Sequence, residues 1–93
     1  MKFAFTIQRD PLGGNDIDVQ ITAEGDETIT SITVRLDDSE LCNVSVDEST
    51  TSWERMFLRA GSGGPGNDHV LIATVIKGDG KRASGRREWT DAN

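Results

Sequence analysis

This 93-residue sequence has no tyrosine, one histidine, one cysteine and two prolines, and aromatic side chains fill only 5% of its positions. Each shortage excludes something. A lone Cys42 cannot close an internal disulfide, the usual staple of a small secreted domain. A lone His69 cannot build a histidine-based metal cluster, and no serine or cysteine is placed in sequence as a nucleophile for it to activate. Long runs of Leu, Ala, Glu and Lys are missing, which argues against a helical scaffold. No apolar segment has the length of a membrane span or a signal-peptide core. The chain is therefore expected to be cytoplasmic, with no membrane partner.

Positive charge is also short. The net charge is −6 and the pI about 4.6. Phosphate binding rests on a surplus of Lys and Arg, so no nucleic-acid partner is expected. The imbalance is uneven along the chain. Residues 1–50 carry eleven acidic and three basic side chains, whereas residues 51–93 carry seven basic and five acidic ones. The plain reading is a solvated surface whose halves can pair. Hydrophobic residues make up 34%, low for a globular domain yet above the range of disordered chains.

What is present is a period of two. Phe3, Phe5 and Ile7 alternate with polar or small neighbours, as do Ile17, Val19, Ile21 and Ala23. The same holds for Ile32, Val34 and Leu36, and for Cys42, Val44 and Val46. Alternation of this kind marks half-buried strands. Turn-forming stretches separate them: 10–15, 24–26, 37–40 and 61–67. Residues 52–60 admit two readings, a helical face capped by Thr51 or Ser52 and a bulged strand. Surrounding strand spacing favours the strand, with Trp53 and Phe57 on one side and Met56 and Leu58 on the other. The expected architecture is one all-β domain over 1–93, a sandwich of about seven antiparallel strands. Residues 90–93 are expected to fray.

The segment from Asp68 to Trp89 carries the most information. A β-rich run, 69–76, enters Gly78-Asp79-Gly80 and leaves along an alternating run, 81–89. A three-residue loop with glycine in the left-handed position sets Val75 opposite Ala83 and Ile72 opposite Arg86. The even positions of the second strand are wholly polar, so that face should meet water. His69, Leu71, Ala73 and Val75 then point inward. Val70, Ile72 and Ile76 are left outside beside Arg82 and Arg86. A slip of one residue would invert every assignment. Apolar rows rimmed by polar groups can mark interfaces, although arginine stems also cover neighbouring methyl groups on ordinary surfaces.

At this hairpin the chain resembles the immunoglobulin-like and fibronectin type III-like sandwiches. The similarity lies in His69-Val-Leu-Ile-Ala-Thr-Val-Ile-Lys-Gly-Asp-Gly80, which looks like a penultimate strand running into its last turn, and in Thr51-Ser-Trp53 ahead of the preceding strand. The cysteine pair, the strand-C tryptophan and the tyrosine corner of that pattern are absent, and His69 stands roughly where the tyrosine ring would be. The resemblance implies an immunoglobulin-like sandwich in which the last two strands share a sheet with residues 31–36. The outer face of that sheet often binds partners, and Thr33 and Arg35 would join the row.

The expected function is a non-enzymatic protein-interaction or structural module. Its partner-binding residues would be Arg35, Val70, Ile72, Ile76, Arg82 and Arg86, and its partner a protein, a second copy included. No cofactor, metal or catalytic residue is expected. Cys42, in phase with Val44 and Val46, reads as a buried inert thiol, and His69 as a packed, hydrogen-bonded structural residue. The alternative is a calcium- or carbohydrate-binding sandwich. It would use the acidic turns around Asp16, Asp18, Glu24, Asp26 and Asp37–Glu40, together with Trp53. Calcium asks for six to eight oxygens.

Overall fold

The computed structural model describes residues 1–9, 15–47 and 49–91. Seven strands carry most of them: β1 Lys2–Arg9, β2 Asp16–Glu24, β3 Ile29–Leu36, β4 Ser39–Ser45, β5 Ser52–Ser62, β6 Asp68–Lys77 and β7 Arg82–Thr90. All pair antiparallel, in a three-stranded sheet of order β1-β2-β5 and a four-stranded sheet of order β4-β3-β6-β7. The fold is an all-β sandwich-like structure, and among the described residues there is no helix. The turn expected at 10–14 lies outside the described residues.

Strand alternation builds the core directly. In β2 the odd residues Ile17, Val19, Ile21 and Ala23 are buried, and in β6 Leu71, Ala73 and Val75. In β3 the buried positions are Ile29, Ile32, Val34 and Leu36. The pattern breaks parity between Ile29 and Ile32 because β3 and β6 shift register between Ile29 and Ser31, and the extra residue rotates Ile29 inward. Phe3, Phe5, Trp53, Phe57 and Trp89 close the flanks as partly buried residues. Burying an aliphatic side chain of this size is worth about 1.5–3 kcal/mol, so the central strands β2, β3 and β6 hold most of the stabilising contact.

Residues 52–60 are strand, paired with β2. Trp53 and Phe57 rest half-buried against the core while Met56 and Leu58 are exposed, as the bulged-strand reading expects. The irregularity lies opposite Ile17–Val19, where β5 advances four residues, from Phe57 to Gly61, while β2 advances two. On β5 it puts Arg59 at φ 54°, and Asp18 holds this turn of backbone by accepting the Arg59 N–H at 2.9 Å.

The β6–β7 hairpin has the expected register: Ile76 pairs with Arg82, Val75 with Ala83 and Ile72 with Arg86. Lys77 and Lys81 close its loop, the Lys77 N–H donating to the Lys81 carbonyl at 2.8 Å. Gly80 takes the left-handed conformation at φ 86°, where a side chain would be strained.

One expectation is overturned. Thr90 and Asp91 are not frayed, because Thr90 belongs to β7 and Asp91 is buried, at 7% exposure. Its backbone is also engaged, its N–H donating to the Asn67 carbonyl at 2.8 Å and its carbonyl accepting from Gly66 at 3.0 Å. A chain end docked by hydrogen bonds does not fray. Residues 92 and 93 lie outside the described residues.

Candidate functional site

Two regions concentrate chemistry. The first is the outer face of the four-stranded sheet. Pairing of Arg35 with Ile72, and of Ile72 with Arg86, lines these three up across β3, β6 and β7. Two steps along, Ser31, Ile76 and Arg82 form a parallel row. Val70 and Glu88 pair near the far end. The structure thus brings all six expected residues onto one face. Val70, Ile72 and Ile76 are half-buried, and Arg35, Arg82 and Arg86 are exposed.

Polar contacts subdivide this face. Thr74 interrupts the aliphatic row and accepts from the Ser84 hydroxyl at 3.2 Å. Thr33 donates to the Asn43 side-chain oxygen at 3.4 Å. Arg35 donates to the Asp38 carbonyl at 2.7 Å, which fixes the guanidinium over the β3–β4 turn. Arg86 pairs with Glu88 on its own strand. Arg82 forms no ion pair among the described residues. The face is therefore three methyl-bearing side chains framed by three guanidinium groups, each held to a different degree.

The second region is the end of the sandwich where β6 begins and β7 stops. His69 is enclosed, with its side chain 4% exposed. Its Nδ1 lies 2.5 Å from Asp37 Oδ2 and its Nε2 lies 2.7 Å from Asp91 Oδ2. Trp89, its cross-strand partner, stacks against the ring with centroids 5.1 Å apart. An open depression of about 380 Å³ beside them is lined by Asp68, His69, Glu88, Trp89 and Thr90.

Three chain segments position the two carboxylates. Asp37 and Asp38 form the two-residue β3–β4 turn, both at positive φ (49° and 69°). Such primed turns match strand twist, and Asp is among the few side chains that tolerate them. Asp37 repays the strained backbone by a second contact, accepting the Val70 N–H on Oδ1 at 2.8 Å. Asp91 accepts the Gly64 N–H on Oδ2 at 2.9 Å and meets Arg9 through Oδ1 at 3.5 Å. Gly63 makes room for it, since a Cβ there would come within 2.8 Å of Oδ2.

Electrostatics follows from this geometry. Burial lowers the pKa of the ring, but the hydrogen bonds and charges of Asp37 and Asp91 outweigh it, and the net effect raises His69 above 6.5. Asp91 is held below the ordinary carboxylate value, first by the Gly64 N–H and then by the His69 hydrogen bond, against the opposing effect of desolvation. An ionised carboxylate only accepts hydrogen bonds. The ring therefore satisfies both partners when both nitrogens carry hydrogen. In that state neither nitrogen is free to accept a proton, and the ring links the two carboxylates.

No family model matches this chain, and no curated protein matches it in sequence.

The remaining candidates have local partners. Asp18 serves the β5 bulge, and Asp16 lies 3.8 Å from the Arg59 guanidinium. Asp37 is turned to His69 and Val70. Trp53 packs against the core and does not stand clear as a sugar-stacking platform. Cys42 is half-buried, and burial pushes its thiol above the ordinary value despite the opposing charge of Arg55. That lowers its thiolate fraction and its reactivity. Sequence reasoning identified His69 as structural but missed both its partners. Asp37 was grouped with the acidic turns and Asp91 with the chain end. The available signal was the pair of consecutive aspartates where a hairpin turn usually has Asn-Gly or Asp-Gly.

Proposed function

We propose that this chain is a non-enzymatic interaction or structural module of immunoglobulin-like type, docking a protein through the outer face of its four-stranded sheet. The observation that carries the reading is the row Arg35, Ile72, Arg86 with its neighbours Val70, Ile76 and Arg82. Half-buried aliphatics at the centre and arginines at the rim fit a contact in which methyl groups lose water and guanidinium groups set orientation toward acidic residues. Strand order supports the immunoglobulin-like part. Residues of β3, β6 and β7 share a sheet, as strands C, F and G do in that architecture. The fourth strand stays beside β3 instead of joining the first sheet.

The partner class is a protein surface with acidic groups around an apolar centre. A second copy, using its Asp-rich half, is one such surface. Size-exclusion chromatography with light scattering across salt concentrations reads that case, and association should weaken as salt rises. Ile72→Asp is the decisive variant. The side chain points away from the core, so far-ultraviolet circular dichroism should be unchanged while partner binding, or self-association, falls at least tenfold. Unchanged binding by the folded variant would remove this surface.

A further inference from the structure

We propose that Asp37, His69 and Asp91 form a proton-operated clamp. While the imidazole carries two protons it ties the β3–β4 turn to the end of β7, and loss of one proton opens the Asp37 arm first. The proposal concerns the end of the sandwich and stands apart from the docking reading.

Both links rest on hydrogen between a ring nitrogen and a carboxylate oxygen, at 2.5 and 2.7 Å. A neutral ring has one N–H. Its other nitrogen then presents a lone pair to a carboxylate oxygen, and at these separations that contact repels. The proton leaves to solvent, and one link must lengthen or admit water.

The two arms are unequal. Asp91 has a side chain only 4% exposed, and its carboxylate also takes the Gly64 N–H and faces Arg9. Moving it would strand a buried charge, a costly outcome. Asp37 is 41% exposed, so water can replace the ring as its partner. The ring therefore keeps hydrogen on Nε2 toward Asp91 and gives up the Nδ1 hydrogen. Asp37 sits at φ 49°, and without His69 one of the contacts holding that conformation is gone. The Arg35 guanidinium donates to the carbonyl of the adjacent Asp38, so the opened arm also loosens Arg35.

Every charged group around the ring bears on its titration. Asp37 faces it from the β3–β4 turn and Asp91 from beyond β7. Arg9 of β1 reaches Asp91, and Asp68 and Glu88 stand at the rim of the neighbouring depression. The β5–β6 connection contributes the Gly64 N–H. Glu88 is itself paired with Arg86, so Asp37 and Asp91, the two carboxylates bonded to the ring, are the charges that favour its protonated form.

The sign is fixed by linkage. A group whose folded pKa is raised lends stability that is complete below its unfolded value, 6.5 for this ring, and that disappears as pH rises through the folded value. The clamp is closed in mildly acidic solution and opens on the alkaline side.

Long-range ¹⁵N–¹H NMR of the imidazole tests this on the intact chain. Two ring N–H signals are expected at pH 6, and one, on Nε2, after the transition. Backbone signals of Asp37, Asp38 and Val70 should move with the same midpoint, while the Gly64 amide stays. A single ring N–H at pH 6 would overturn the clamp. So would a transition that moves Gly64 and leaves Val70 in place. His69→Gln disrupts the buried link itself, so Asp37→Asn is the working variant. It keeps shape and removes one charge at an accessible site. Its ring should titrate at lower pH than wild type, and the coupled shift at Val70 should disappear. An unchanged midpoint in Asp37→Asn would sink the proposal.

Discussion

Strand β6 presents two different surfaces from one run of ten residues, and the contrast is instructive. Its inward side chains Leu71, Ala73 and Val75 are sealed by the opposite sheet and its inward His69 by two carboxylates. Its outward side chains Val70, Ile72 and Ile76 are as apolar as the core but only half-covered. Hydrophobicity alone does not separate the two sets. What separates them is the neighbouring strand, because β7 offers Ala83, Gly85, Arg87 and Trp89 on one side, mostly small or aromatic, and the wholly polar Arg82, Ser84, Arg86 and Glu88 on the other. A polar residue sits inside because its hydrogen bonds are satisfied, and the aliphatic row sits outside because its partners on β7 are polar.

The contrast can be broken most sharply by truncation. Leu71→Ala should cost about 2–5 kcal/mol in urea unfolding, the range for a large-to-small change in a packed core. Ile72→Ala, one residue on, should cost under about 1 kcal/mol, because it leaves no enclosed cavity. Equal losses would show that both faces of β6 are buried, and would remove the docking row with them. A smaller effect sharpens the polar half. Asp37→Ala strips a partner from the Val70 N–H and from His69, for a loss of about 1 kcal/mol after allowing for water replacing part of the contact. Arg82→Ala should stay within about 0.5 kcal/mol. The last expected change is a gain. Asp38→Gly relieves a side chain at φ 69°, and relief of left-handed strain less the extra chain entropy leaves roughly 0.5 kcal/mol.

Acid should distinguish the two halves as well. Asp91 lies below 3.8 in the fold, so its contribution is present above that value and is lost as pH falls through the lowered one. Combined with His69, thermal stability should be greatest between about pH 4 and 6.5 and decline on either side. A flat profile across pH 4–9 would mean that the polar end contributes little to holding the fold.

Much of this was legible in the residues. Alternation in 17–23 and 69–76 specified strands and their inward sides, and Gly78-Asp79-Gly80 specified the hairpin register. The reason is local, since a two-residue period and a turn of known length fix which side chains share a face. The polar end was not legible. Asp37, His69 and Asp91 lie 32 and 22 residues apart, and nothing in the alternation links a turn, a strand start and a strand end. Asp91 looked like part of a loose tail because its docking partners, Gly64, Asn67 and Arg9, belong to other segments.

By itself, then, the amino-acid order determined that the chain is all-β, which side of each strand faces inward, and where the last hairpin turns, because those properties depend on neighbours within a few residues. Only tertiary structure decided that β4 pairs with β3 and that a single histidine joins two distant carboxylates. Such contacts depend on how strands are ordered in the sheets, and burial around His69 exists only once both sheets have closed over the same core.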